Sequence, residues 1–287
     1  MKLSIITINY NNAEGLKKTL ASVASQTYRD IEHIIVDAAS TDGSVDVIRE
    51  YESANRSSIH PLTIVWSSKK DKGIYNGMNI GIQRATGEYC QFLNSGDMLA
   101  APDVTERMMA ALLQCKSKAD AAKTNDVDII YGDMLKIGVK KHYVDKSSRN
   151  DDVTLMMFYR GCLNHSPAYI KRSLFDEYGL YDESLKICSD WKFYMQSIVF
   201  GKAITKHVDI VVTHFDMTGI SETRKDILND ERNRLLQEMV PQGILRDYNR
   251  YHFPMTQYDR LRHYHVWKIV YFIERVLFKL EKWHILR

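Results

Sequence analysis

An α/β fold with a mostly parallel, mixed central sheet flanked by helices is what this sequence predicts, on two observations. Short β-branched runs alternate with amphipathic stretches along the first third of the chain, the alternation that builds a parallel sheet. Several of those runs stop abruptly in small polar turns that carry a carboxylate or an asparagine, and an open α/β sheet binds its ligands beyond such strand ends.

Leu3 to Asn9 is the first run, and Tyr10-Asn11-Asn12 breaks it before the helical pattern Leu16 to Val23. A second apolar run, Ile34-Ile35-Val36, ends in Asp37 and enters Ala38 to Ser44, rich in turn residues and helix caps. The third, Leu62 to Trp66, leads to Asp71-Lys72-Gly73-Ile74-Tyr75-Asn76-Gly77-Met78-Asn79, from which a helix through Ile80, Ile82 and Ala85 returns the chain to a fourth strand. That strand runs from Cys90 through Phe92-Leu93 into the turn Asn94-Ser95-Gly96-Asp97. A lone carboxylate at a strand end is placed to hold a hard divalent cation, which in turn holds phosphate oxygens.

Further along, Lys116 to Asp126 is a polar connector expected as a surface loop before the strand Ile129-Ile130-Tyr131. Asn164 to Ile170 precedes a helix over Arg172 to Tyr178 with Gly179 as its cap. A helix from Trp191 to Phe200 and a final strand from Val208 to Thr213 complete the sheet region, followed by Gly219-Ile220-Ser221. Beyond Ser221 the chain turns helical: a charged segment Glu222 to Val240, a break at Pro241-Gln242-Gly243, then Tyr258 to Arg287, where apolar residues alternate with arginines and lysines. Such a cationic amphipathic helix either packs on the catalytic domain or another subunit, or lies at a membrane surface.

Composition narrows the field. A net charge of +3 over 287 residues gives no reason to expect nucleic acid. Cys90, Cys115, Cys162 and Cys188 are widely spaced and read as reduced thiols of a cytoplasmic protein, at the inner face of the cytoplasmic membrane if the C-terminal helix binds there. The first apolar run is too short and too poorly flanked for a signal peptide, and no segment is long enough to span a bilayer.

The segments Thr7 to Asn11, Asp37 to Ser44, Asp71 to Asn79 and Phe92 to Asp97 occur in the order and spacing of the family-2 glycosyltransferases, and the chain resembles the branch that builds bacterial surface polysaccharides. The resemblance covers roughly the first two-thirds to three-quarters of the chain. It implies a GT-A fold, with a glycosyltransferase domain over 1–221 (nucleotide-sugar half 1–97, acceptor and catalytic half 98–221) and a C-terminal helical extension over 222–287. It implies an inverting transfer from a nucleotide-diphospho-sugar, UDP-linked, to a hydroxyl of a glycan or lipid-linked glycan. Asn9, Asp37, Asp42 and Asn79 would surround the nucleoside and diphosphate, with Thr7, Gly73, Asn94 and Ser95 also on the donor side. Asp37 would accept from the base, since an acceptor-only carboxylate suits an imide N–H. Asp97 would hold Mg²⁺ or Mn²⁺, and Asp190, in Ser189-Asp190-Trp191, matches the family's general base.

Two departures matter. The family's metal turn commonly reads Asp-x-Asp-Asp, whereas this chain has Asn94-Ser95-Gly96-Asp97, and Ala38-Ala39 replaces the usual small or acidic pair. Mg²⁺ often needs only one or two protein carboxylates once phosphates and waters complete its octahedron. Plainer roles stand beside these: Asp42 as a turn residue, His165 and His214 as structural histidines, Trp191 as core or as a platform for a sugar ring. A nicotinamide oxidoreductase shares the alternation, but the first turn lacks Gly-x-Gly-x-x-Gly. A non-catalytic sugar-nucleotide or glycan-binding protein of the same fold is the alternative that the depleted metal turn leaves open.

Overall fold

The computed structural model describes residues 1–122, 126–138, 142–146, 153–251 and 266–282. The first strands and helices follow the sequence pattern: β1 Leu3–Asn9, α1 Ala13–Ala24, β2 Ile31–Asp37, α2 Ser44–Arg56, β3 Thr63–Ser68, α3 Ile74–Arg84 and β4 Tyr89–Phe92. β1 and β2 are covered on both faces, which is why they read as nearly continuous apolar runs. The Asn12 side chain caps α1 by accepting from Gly15 N at 3.1 Å, and Leu16, Leu20 and Val23 bury one face of that helix. α3 packs closely on β1. A Cβ at Gly81 would stand 2.4 Å from Ile6 Cγ2, so glycine allows the close approach there, and one at Gly77 would sit tightly at 3.2 Å from Ile8 Cγ2.

The strands form one sheet in the order β3-β2-β1-β4-β8-β6-β9-β5, with β7 added on β6. The remaining strands are β5 Met98–Leu99, β6 Ile129–Ile137, β7 His142–Asp145, β8 Ala168–Lys171 and β9 Thr205–Asp216. The half formed by β3-β2-β1-β4 is parallel. β8 then enters antiparallel to β4 and β6, while β6 and β9 are parallel and β5 is antiparallel to β9. Because the chain winds outward through β2 and β3 and then returns to the other side of β1 as β4, a crevice opens at the carboxyl ends of β1 and β4.

Three expectations are corrected. The connector Lys116 to Asp126 is not a loop along its first part: α4, Val104–Ala122, runs through it, since Lys and Ala favour helix and neither Gly nor Pro interrupts it. The helix expected over Trp191 to Phe200 divides into α7, Ser189–Tyr194, and a π-helical turn, Met195–Phe200. The last strand reaches Asp216 rather than Thr213. The second half also holds α5 Leu155–Arg160, α6 Ser173–Tyr178 ending at the expected Gly179 (φ +87°), and α8 Ile220–Thr223.

The chain divides into two compact units, Met1–Arg232 and Asn233–Arg287. The first extends past the expected boundary at 221. Glu231, on α9 (Lys225–Met239), accepts from the backbone N–H of Lys186 at 2.7 Å and of Ile187 and Cys188 at 3.0 Å, and Arg232 Nη2 donates to Gly161 O at 2.6 Å. The second unit holds the end of α9, a helical stretch over 242–251 (α10) and α11, Val266–Lys282. Ile269, Phe272, Ile273 and Phe278 on α11 are more than half exposed. No helix among the described residues is long and apolar enough to cross a membrane. The parts of the expected Tyr258 to Arg287 segment before Val266 and after Lys282 lie outside the described residues.

Candidate active site

A cleft of about 690 Å³ lies over the carboxyl ends of β1 and β4. Asn9, Gly73, Asn94, Ser95 and Asp97 from the sequence-derived set line it, joined by Asp216 and the Gly219-Ile220-Ser221 segment. Gly73 opens α3 at φ +123°, a conformation that side-chain-bearing residues rarely adopt. Asn12, which caps α1, also donates through Nδ2 to Ser95 O at 3.1 Å, so the first strand's loop is tied to the fourth strand's turn.

Asp37 sits behind this lining and is fully buried. Its oxygens accept from Asn9 Nδ2 at 2.8 Å, from Ser40 N at 3.0 Å, and from the Ser40 and Ser68 hydroxyls at 2.5 Å. Burial works to raise its carboxyl, but the hydrogen bonds from Ser40, Ser68 and Asn9 prevail and hold it below the ordinary aspartate value. Asn9 keeps its own Oδ1 buried and without a partner among the described residues.

Thr7, Asp42 and Asn79 are not brought into the cleft. Thr7 Oγ1 donates to Leu93 O at 2.8 Å and meets His33 Nε2 at 2.9 Å, joining β1 to its neighbours. Asp42 is exposed and ties two helix starts, accepting from Ala13 N at 2.8 Å and from Ser44 N at 3.1 Å, which is the turn role its sequence context allowed. Asn79 is spent across the molecule: Nδ2 donates to Tyr181 O at 2.9 Å and Glu183 Oε1 at 3.0 Å, and Oδ1 accepts from Tyr181 N at 3.0 Å.

Asp97 is buried at the bottom of the turn created by Gly96 (φ +107°). Burial pushes its carboxyl up to about 7, with the nearby Asp216 carboxylate adding to the rise against the Asp216 N–H, which donates to Asp97 Oδ1 at 3.0 Å. A Cβ placed on Gly96 would lie 3.2 Å from Asp216 Oδ2, so the second carboxylate overhangs the turn itself. Asn94 Oδ1 is buried nearby with no hydrogen-bond partner among the described residues. Two carboxylates and an orphaned amide oxygen bordering one cleft form a hard-oxygen donor set, and this set fits Mg²⁺ or Mn²⁺. Asp216 carries the strand-end carboxylate signal that marked Asp37 and Asp97, but the sequence pattern closes the last strand too early to expose it. A separate group, Asp133, His207 and Asp209, brings ligand atoms within 4.8 Å of one another on β6 and the start of β9, and none of the three lines the cleft.

A second cavity of about 230 Å³ adjoins the first, sharing Asn94 and Asp97 with it, and Asp190 lines its wall. Asp190 stands in the first turn of α7, where its Oδ1 accepts from the Tyr75 hydroxyl at 3.1 Å, and Tyr75 also bonds Ile187 O. Tyr75 belongs to the Asp71 to Asn79 segment, so one motif lines the donor cleft at Gly73 and touches the acid of the neighbouring cavity. The other nearby carboxylates are committed elsewhere. Asp182 pairs with Lys192 at 2.6 Å, a hydrogen bond that pulls it down to about 2, and Glu183 accepts from Asn76 and Asn79; neither lines the cavity. Trp191 is buried, donating to Phe158 O at 3.2 Å and Gly161 O at 3.1 Å, and it borders the cavity. His165 stacks on Phe92 at 4.7 Å and meets the Tyr181 hydroxyl at 2.8 Å; burial lowers its proton affinity, with Asp190 pulling the other way. His214 pairs with Met98 across β9 and β5 and lines neither cavity.

The family model for Glycosyl transferase family 2 matches residues 4–161. An uncharacterized glycosyltransferase of Mycobacterium tuberculosis is 30% identical over 226 residues, 78% of each chain. A PGL/p-HBAD biosynthesis glycosyltransferase of Mycobacterium bovis is 27% identical over 226 residues, 78% of this chain and 80% of that one. Among solved structures, S. aureus TarS in complex with UDP superposes with a TM-score of 0.60 at 19% identity, covering 78% of this chain and 63% of that one. A mannosyltransferase from Pyrobaculum calidifontis in complex with GDP-Man and Mn²⁺ gives 0.55 at 18% identity, covering 75% of this chain and 56% of that one. The chain thus spans less than two-thirds of the length of these solved structures, and the likeness establishes the shared GT-A fold.

Proposed function

The chain belongs to glycosyl transferase family 2, a family of glycosyltransferases, and from that premise we propose that it moves a sugar from a UDP-linked donor to a hydroxyl of a glycan or lipid-linked glycan with inversion at the anomeric carbon. One observation carries this reading: Asp97, on the floor of the large cleft, and Asp190 line the same adjoining cavity. A nucleoside diphosphate lying in the cleft would then present its sugar to a hydroxyl held near Asp190. In a single displacement the acceptor oxygen bonds to the anomeric carbon, the bond from that carbon to the β-phosphate oxygen breaks, and Asp190 takes the hydroxyl proton. Tyr75 orients Asp190 through the bond at 3.1 Å.

Asn9, Gly73, Asn94 and Ser95 are the donor-side residues in this reading, and Asp37 receives the base. An imide N–H reaching Asp37 must replace one of the serine hydroxyls now on its oxygens. Asp97, Asp216 and the Asn94 amide oxygen would hold Mg²⁺ or Mn²⁺, which when bound supplies charge neutralisation to the departing diphosphate. The acceptor-only carboxylate of Asp37 suits the imide N–H of a uracil base, and the UDP complex of TarS is consistent with a UDP-linked donor.

α11 suits contact with a lipid-borne acceptor. Arg275 and Lys279, four residues apart, share one helix face, with a broad exposed apolar surface beside them. The test of the whole reading is thermal stabilisation by a panel of sugar nucleotides with and without Mn²⁺, followed by transfer assays on the donor that binds. Metal-dependent stabilisation by a UDP-sugar is the expected result; stabilisation by no nucleotide sugar would overturn it.

A further inference from the structure

The smaller cavity has a cationic end that the transfer chemistry does not use. Lys225, Leu228 and Arg232 project into it from α9, three and four residues apart on one helix face. Lys225 is neutralised by Glu222 at 2.9 Å, and Glu222 is shared with Lys136 at 3.7 Å, which in turn holds Asp145 at 3.0 Å. Arg232 differs. Its Nη2 donates to Gly161 O at 2.6 Å, its Nε is buried without a partner, and no carboxylate among the described residues pairs with it. Lys186, which also lines the cavity, is exposed and has no ionic partner among the described residues. The neighbouring Asn164 Nδ2 is a second buried donor left without an acceptor.

Arg232 is partly buried, and its Nε–H, shielded from water with no acceptor among the described residues, is a costly donor to leave unpaired. Its planar fork matches a carboxylate or phosphate, and the excess at this end of the cavity is of donors and positive charge. We propose that Arg232, Lys186 and Asn164 form a subsite for an oxyanion carried by the acceptor, a phosphate or a sugar carboxylate, so that the enzyme selects negatively charged acceptors. The subsite rests on the proposed reading in one respect, that this cavity is the acceptor's. Its position beside Asp190 would anchor the acceptor by its charge while a hydroxyl faces the base.

The test uses the full chain with saturating UDP and Mn²⁺, so that the donor cleft is filled. Inorganic phosphate, methyl glucuronide and the neutral methyl glucoside are titrated in turn, read by calorimetry and by Trp191, which shares Gly161 O with Arg232. Phosphate or the glucuronide should bind at least about tenfold more tightly than the glucoside, and R232Q should remove about ten- to a hundredfold of that affinity. A preference for phosphate points to a phosphate-bearing acceptor, and a preference for the glucuronide to a uronate-bearing glycan. R232K, which keeps the charge but loses the fork, and K186Q, at an exposed position, carry the test if R232Q does not fold. Equal anion binding by the wild type and these variants, or glucoside binding as tightly as the anions, would overturn the subsite. UDP binding is measured separately. Its failure counts against the donor assignment, while the comparison of variants still decides the subsite.

Discussion

Asp190 and Asp97 divide the work of the proposed transfer, and their surroundings suit the division. Asp190 sits beside a hydroxyl donor at the wall of the smaller cavity, whereas Asp97 is buried at the junction of the two cavities next to a second carboxylate. A base acts on the acceptor and adds little to donor affinity. Asp190→Asn should therefore bind donor and metal as the wild type does and lower transfer by about a hundred- to ten-thousandfold, measured by paired calorimetry and initial rates. Loss of donor affinity would reassign Asp190 to holding the nucleotide. Asp97→Asn should weaken Mn²⁺ binding in a paramagnetic titration with UDP present, leaving the far-UV spectrum unchanged; unchanged Mn²⁺ affinity would remove Asp97 from the metal. Asp97 and Asp190 were legible in sequence because each lies in a short ordered motif. Asp216 was not, because the sequence pattern ends the last strand short of it, and Arg232 was not, because what marks it is a bond to Gly161, about seventy positions away in the chain.

At the scale of elements, α3 on β1 is the packing that the donor cleft depends on, because Gly73 and Tyr75 lie in or next to its first turn. Gly81→Ala would drive a methyl toward Ile6 and should cost about 1–3 kcal/mol of unfolding free energy, read from denaturant midpoints. A cost near zero would mean that α3 moves freely over the sheet. α11 offers a second test. Removing residues 258–287 should abolish sedimentation with anionic vesicles while donor hydrolysis persists, and the wild type's binding should fall as salt rises. Equal vesicle binding by both proteins would discard the membrane role, and a change in oligomer mass would instead favour packing against another subunit. The amphipathic pattern of this helix was plain in sequence; the extension of α4 through Lys116 to Ala122 was not, since a polar, lysine-rich stretch serves equally as a solvated helix end or as a loop.

For the whole molecule, His33 links the core to pH. It is fully buried between Thr7 Oγ1 and the Tyr51 hydroxyl, and burial pushes its proton affinity down to about 3. The folded protein keeps this ring neutral, whereas the unfolded chain protonates it at the ordinary histidine value near 6.5. Its contribution to stability is thus present above that value and is lost as pH falls toward about 3, by up to ~1.4 kcal/mol per pH unit within that window. His33→Gln should flatten the acid limb of a pH–stability curve over the same window, whatever its effect at neutral pH. An identical slope in the two proteins would show that the ring is protonated in the folded state.

The sequence by itself determined the winding of the first half, because strand period, helix period and turn chemistry are local properties of neighbouring residues, and it located the four motifs that border the cleft. It also determined the family, through the order and spacing of those motifs. Only the tertiary structure decided which motif residues face the cleft. Thr7 and Asn79 belong to the motifs, yet their polar atoms are consumed by Leu93 and Tyr181, and Asp37 stands one layer behind Asn9. It alone also decided that Tyr75 meets Asp190 across 115 positions and that Arg232 lines the same cavity as Asp190. Such pairings depend on how the sheet is ordered and how its long connections return, and a buried polar group finds whichever partner that arrangement brings within reach.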